Sequence, residues 1–279
     1  MATIQDLPHL IALLDDDSPV VREAVTSALF SFGDQLPGML DELPTPPNPS
    51  QQACLRLILG DYLRRQLRDQ WPNWLSLTGE AQRLEAAQTL IAEFQNGPAY
   101  ATDLKTALDG IAAQFAAKYG QRDLHVLVRF LFEELGFTGE RKNYNHPQNS
   151  NLVRVIESRR GLPISLACVF MLVAHRLGMD VRGVNWPDHF LTRASVNGKE
   201  FIFDGYQGGP GIERESFLKM QGPSREAAEA ILNQPCDAVT IMVRVLRNLV
   251  RAYEHGGQDE NSALMLTLLQ QLEQRAERR

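Results

Sequence analysis

A histidine and an aspartate fifteen residues apart, on either side of a tight turn, are the clearest chemistry in this sequence. His189 stands in WPDHFLTR and Asp204 in FIFDGYQGG, with Asn197-Gly198 between them. Both turn residues tolerate positive φ, so the dipeptide predicts a two-residue hairpin turn. The histidine then starts one strand, the aspartate ends the next, and the two come together near one edge of a small sheet. An imidazole that takes a proton, oriented by a carboxylate, supplies two members of a nucleophile–His–Asp triad. The third belongs at a helix start, where free N–H groups depress a thiol pKa and receive an oxyanion. RRGLPISLAC opens such a helix, and Ser165 and Cys168 are its candidate nucleophiles.

Each of these residues also has a plainer role. A serine in a first helical turn commonly bonds the backbone. Cys168 lies in an unbroken apolar helix, where a thiol packs as a small inert hydrophobe. A His–Asp pair can tie a sheet to a loop or meet a ligand. Trp186 is the wall of a pocket or a buried turn residue. In the polar loop FTGERKNYNHPQNSN, Asn145 and Asn149 can line a cleft. Alternatively Asn145 sits in a turn and Asn149 or Ser150 caps the next helix. Arg160, beside Arg159, can meet an anion, pair with Asp204 or serve a helix end. His146 and His189 have no third ligand at metal spacing. Cys54, Cys168 and Cys236 show no zinc spacing, and GYQGGPG has no Lys-Ser/Thr of a phosphate loop. No metal and no cofactor is expected.

The elements that must hold these residues are mostly helices. Leu7–Leu14 and a segment from Pro19 toward Gly33, with Ser18 at its cap position, form a short helical pair. Pro44–Pro49 is a stiff connection. Amphipathic segments follow at about 50–68, 79–95, 101–118 and 123–135, then a helix from Leu152 to Arg159. After Gly161-Leu162-Pro163 the run ISLACVFMLVAHRLG is apolar nearly all round, which predicts a central buried helix. Beyond Gly178 the period becomes two, giving strands at 181–184, 190–196 and 200–203. Helices return at about 213–219, 223–232, 238–254 and 260–277, the last two forming a hairpin. The expected segments are 1–43, 48–122, 123–210 and 211–279, and the expected class is α+β, predominantly helical, with a small antiparallel sheet.

Composition narrows the function. Among 279 residues, 28 Lys and Arg face 34 Asp and Glu, a formal charge of −6. That balance lacks the basic footprint of a chain that tracks nucleic acid. No run approaches the ~20 apolar residues needed to cross a bilayer, and MATIQDLPHL lacks the pattern of a secretory signal. A reduced, cytoplasmic protein without a nucleic-acid or membrane partner is expected.

From Asn143 to Gly209 the order of Asn149-Ser150, RRGLPISL, Arg176-Leu177-Gly178, Pro187-Asp188-His189-Phe190 and Asp204 with Gly208-Gly209 resembles the SirB-one family. These are bacterial proteins with a transglutaminase-like core and a TPR-like tail, related to the middle region of an F-box protein. The first helical pair resembles a HEAT repeat. The resemblance implies the papain-like core of transglutaminases over roughly 124–210. In catalytically competent members a Cys stands about four helical turns before the Leu-Gly that closes the core helix; here that count runs back from Gly178 to Pro163. The SirB-one pattern carries Gly-x-Pro at this point. The expectation is therefore a non-catalytic module that binds a protein or peptide partner. The alternative is a hydrolase or acyl-transferase using Ser165 or Cys168 with His189 and Asp204, and a third reading is a scaffold with no cleft function.

Overall fold

The computed structural model describes residues 4–97, 100, 102–120, 123–209 and 211–277. Expected segment ends at 1–3, 121–122, 210 and 278–279, and the expected helix start at Ala101, lie outside these. The chain packs as two compact units, Met1–Gln70 with Leu90–Asp103, and Trp71–Thr89 with Leu104–Arg279. The segment expected at 48–122 is thus shared between them. Predominantly helical α+β architecture is found, and among the described residues the β structure lies in the second unit.

In the first unit, α1 (Leu7–Ala12) and α2 (Pro19–Phe30) bury Leu7, Ile11, Val25 and Leu29. Ser18 occupies the cap position of α2 but its side chain makes no capping bond; its amide instead donates to Asp16 Oδ1 at 2.8 Å. After α3 (Leu36–Asp41), Asn48 caps α4 (Pro49–Ile58) in a reciprocal box with Gln51. The helix expected over 50–68 is two, because Leu59 leaves helical geometry and Gly60 begins α5 (Gly60–Gln70).

The second unit takes the first turns of α6 (Glu80–Asn96) and then α7 (Leu104–Tyr119) and α8 (Leu124–Arg129). Asp123 caps α8, accepting from the amides of His125 and Val126. The helix continues as one wider π turn, Phe130–Glu134, in which Leu135 N donates to Phe130 O at 2.8 Å. A two-residue parallel pair, β1 (Thr138–Gly139) with β2 (Arg160–Gly161), brackets the polar loop and α9 (Leu152–Ser158). Then comes α10 (Pro163–Arg176), whose residues 163–174 are all buried, the central helix its composition predicts.

Against α10 lies a sheet in the order β3 (Val181–Val184), β4 (Leu191–Val196), β5 (Lys199–Phe203) and β6 (Ile212–Glu213). Its β4–β5 hairpin turns on Asn197 (φ 52°) and Gly198 (φ 79°), as the dipeptide predicts. Alternation gives the sheet two faces. Phe203 meets Phe170 of α10 edge-on at 5.7 Å on one face. On the other, Val184, Leu191 and Ile202 pack under Leu218 of α11 (Arg214–Met220) and Ala228 and Leu232 of α12 (Arg225–Asn233). A helical hairpin, α13 (Ala238–His255) and α14 (Asp259–Glu277), completes the unit. Among the described residues no helix is long and apolar enough to cross a membrane.

Candidate functional site

The hairpin register brings His189 and Asp204 together. Thr192 pairs with Phe203, so the chain entering β4 runs beside the chain leaving β5. These are the two central strands, so the pair sits at the open end of the hairpin rather than at the sheet's edge. His189 lies in a turn before β4, not in the strand: Asp188 is left-handed (φ 53°) and His189 N donates to Trp186 O at 3.2 Å. Phe190, buried, anchors that turn. His189 Nε2 is 2.9 Å from Asp204 Oδ1, with side chains 24% and 30% exposed. The nitrogen is itself buried and finds no aligned acceptor, so the contact is a close approach rather than a directed hydrogen bond.

Asp204 Oδ1 is already engaged. It accepts from the amides of Tyr206 (3.0 Å) and Gln207 (3.2 Å), closing the turn after β5. Tyr206 stands perpendicular to the His189 ring, centroids 5.9 Å apart. Its hydroxyl donates to Glu140 O at 2.8 Å, and burial raises its pKa. The ring fills the space a Cβ would need on Gly139, so only glycine fits at that point of β1. Beside it, the amides of Asn143 and Lys142 hold the Glu140 carboxylate below its ordinary pKa, and the Arg160 charge adds to the effect.

At the start of α10 the candidate nucleophiles have other partners. Pro163 occupies the first helical position. Ser165 is 1% exposed, and its Oγ donates to Asn149 O at 2.7 Å. Asn149 Nδ2 in turn donates to the carbonyls of Asn143 (2.6 Å) and Tyr144 (3.0 Å), so the polar loop is bonded to itself. The cap of α9 is neither Asn149 nor Ser150 but Asn151, whose Oδ1 accepts from Val153 N and Arg154 N. Cys168 is fully buried, 4.0 Å from Gln88 Nε2, and burial pushes its thiol far above its ordinary pKa. A thiol there is a packing group.

Trp186 packs edge-on to Phe217 (5.1 Å) over the apolar cluster under α11 and α12, so it belongs to a core turn. Asn145 and Arg160 are exposed. Among the described residues no three His, Cys, Asp or Glu converge as metal ligands. Two participants escape a reading by spacing. Tyr206 forms a wall of the corner, and Arg244 of α13 reaches the loop that precedes His189, donating to Asn185 Oδ1 (2.8 Å) and Trp186 O (3.0 Å). Tyr206 lies in the turn that Asp204 closes, and Arg244 carries no local signal.

Residues 99–247, more than half of the chain, match the family model described as the transglutaminase-like superfamily. A UPF0162 protein of Xylella fastidiosa (strain Temecula1) is 40% identical over 132 residues, 45% of this chain and 47% of its own length. A UPF0162 protein of Pseudomonas aeruginosa is 32% identical over 184 residues, 62% of this chain and 66% of its own. F-box only protein 21 of Homo sapiens is 36% identical over 63 residues, 23% of this chain and 10% of its own. The chain spans about half the length of the first curated relatives it matches. No solved structure matches. A family match over residues 99–247, on a buried helix packed against an antiparallel sheet whose open end pairs His189 with Asp204, means that the chain belongs to the transglutaminase-like superfamily.

Proposed function

We propose that this protein is a non-catalytic transglutaminase-like module whose His189–Asp204 corner, walled by Tyr206, binds a protein or peptide partner. The observation that carries the reading is the hydrogen bond from Ser165 Oγ to Asn149 O. It uses the hydroxyl proton that a base would have to take, and it does so in a buried first turn that holds Pro163 and no thiol. A His–Asp pair kept a quarter exposed without a nucleophile retains hydrogen-bonding capacity for a bound chain. The SirB-one assignment belongs to this reading, as do the HEAT-like character of α1–α2, the TPR-like character of α13–α14 and a cytoplasmic setting.

The alternative, a hydrolase or acyl-transferase with His189 as base and Asp204 as orienter, is favoured by one observation, the 2.9 Å approach of the pair. A fluorophosphonate and iodoacetamide, applied to folded protein and read by peptide mass spectrometry, separate the two. The proposal expects Ser165 unlabelled in either state, because an unactivated serine hydroxyl does not react with a fluorophosphonate, and Cys168 alkylated only once the chain is unfolded. Labelling of either in the folded state, abolished by His189→Ala, would overturn it.

A further inference from the structure

A cavity of about 990 Å³ runs along the β3 side of the sheet, and neither His189 nor Asp204 lines it. Its inner wall is the continuous stretch Met179–Gly183, which enters and forms most of β3. The first turns of α6 and α13 face it from across the opening. Pockets of this size ordinarily hold a ligand of several hundred daltons or a short peptide segment.

β3 is the edge strand, bonded to β4 alone. In an antiparallel pair every second residue turns its N–H and C=O away from the partner. Among the described residues nothing bonds those outward groups over Val181–Gly183. The edge closes only beyond them, where Val184 O accepts from Trp186 N and Asn185 N reaches the Cys236 sulfur. Folded proteins generally cover or charge an edge of this kind; this one opens into a cavity.

The two sides of that edge differ in chemistry. Toward α10 the cavity is mainly apolar, with Leu84, Met171, Leu172 and Ile241 beside the exposed His175. On the opposite face Arg182 and Arg193 stand directly across from each other in the β3–β4 register. Asp180 pairs with Arg182 at 2.8 Å, and Glu200 serves both Arg193 (2.8 Å) and Arg214 (2.7 Å). Arg214 also reaches Glu229 (3.8 Å) and donates to Asn233 Oδ1 (2.7 Å), whereas among the described residues Arg193 Nε is buried with no acceptor. A guanidinium N–H out of water without a partner is costly, and an incoming carboxylate relieves it. The acids on the far wall are committed. Glu80 accepts from Ala238 N (2.8 Å) and pairs with Arg83 (3.0 Å), while Asp237 caps α13 through Thr240 N (2.8 Å).

The geometry points to the outer edge of β3 as a docking strand for an extended peptide whose side chains alternate apolar and acidic. The peptide backbone completes the outward hydrogen bonds of Val181–Gly183. Period two then sends its apolar side chains toward Met171 and Leu172 and its carboxylates toward Arg182 and Arg193. This site is independent of the His189 corner and stands or falls without it.

The test uses the full chain and the capped peptide Ac-Val-Glu-Val-Glu-Val-NH2, with hydrogen exchange at residues 181–184 as readout. Slowed exchange at alternate β3 amides is expected, with affinity about tenfold weaker for the Lys-for-Glu peptide. The exposed substitution Arg182→Glu should reverse that charge preference without touching the core. Of two peptides N-methylated on alternate sets of amides, one should lose binding and the other keep it. Unchanged exchange at saturating peptide, equal binding of both charge forms, or equal binding of both N-methylated forms would overturn the proposal. So would the same protection from hexanoate alone, which would make the cavity a small-carboxylate site. Protection that rises with protein concentration in the absence of peptide would assign the edge to a second copy and overturn it equally.

Discussion

The two ends of α10 are fastened by different forces. At its start the ties are neutral and close: the Ser165 hydroxyl on Asn149 O, and Gly161 packed so tightly that a Cβ would come within 2.9 Å of Val155 Cγ1. At its end they are ionic. Arg176 grips Glu85 through both terminal nitrogens (2.8 and 2.7 Å) and Asp109 through Nε (2.6 Å). The start, where a nucleophile would stand, has given its polar groups to the polar loop, while the charged work is done some 20 Å away along the helix axis. A helix fastened at both ends is a strut, and its apolar middle is the core against which the sheet lies. The contrast teaches that a helix start rich in donors is not in itself a reactive site; what matters is whether its side chains are already spoken for.

Four measurements probe the two ends separately. Arg176→Met should cost most, about 2–3 kcal/mol in urea unfolding, because it strands Glu85 in a half-buried site; the half-exposed Asp109 adds little. Gly161→Ala should cost about 2 kcal/mol through the clash with Val155, and Gly161→Ser no less. Ser165→Ala leaves one carbonyl without its donor and should cost about 1 kcal/mol, with any binding at the His189 corner unchanged. Loss of a measured hydrolytic activity in that variant, with the fold intact, would instead restore the serine as a nucleophile.

The smallest effect concerns pH. The Lys105 ammonium, then the Arg176 guanidinium, hold the Asp109 carboxyl below its ordinary value of 3.8. An acid with a depressed folded pKa lends stability above its unfolded pKa and loses it as pH falls through the folded one. The far end of α10 should therefore loosen below about pH 4 by less than ~1 kcal/mol, since Asp109 is half exposed. Asp109→Asn should flatten that part of a stability–pH curve, whereas Ser165→Ala should leave its shape alone. Equal flattening by both would erase the distinction between the two ends.

What the sequence disclosed follows from the range of the forces involved. The buried character of α10, the strands over 181–184, 190–196 and 200–203, and the Asn197-Gly198 turn are local in origin, and the structure has them within a residue or two. The approach of His189 to Asp204 follows from that turn and its register, which is arithmetic on a hairpin. The cap expected at Asn149 or Ser150 falls short of the true one, because the first turn of α9 begins at Leu152 and so selects Asn151. The break at Leu59 has no proline to announce it. β1, β2 and β6 are two residues long, too short for periodicity to mark. The bond from Ser165 to Asn149 and the reach of Arg244 to Trp186 join residues 16 and 58 positions apart, which only the folded chain reveals.

The π turn at Phe130–Glu134 has a consequence for how this chain can vary in length. Because the turn holds one residue more than an α-helical turn, it buries Phe130, Leu131 and Phe132 in succession. The wide turn takes up its extra residue without rotating the flanking helix, so deleting one residue leaves an ordinary α-helical turn, whereas inserting a further one would swing the preceding segment by about 100°. Leu124, Leu127 and Val128 would then leave the core together. A single-residue deletion should therefore be better tolerated here than a single-residue insertion, because the segment already holds the one extra residue its turn can absorb.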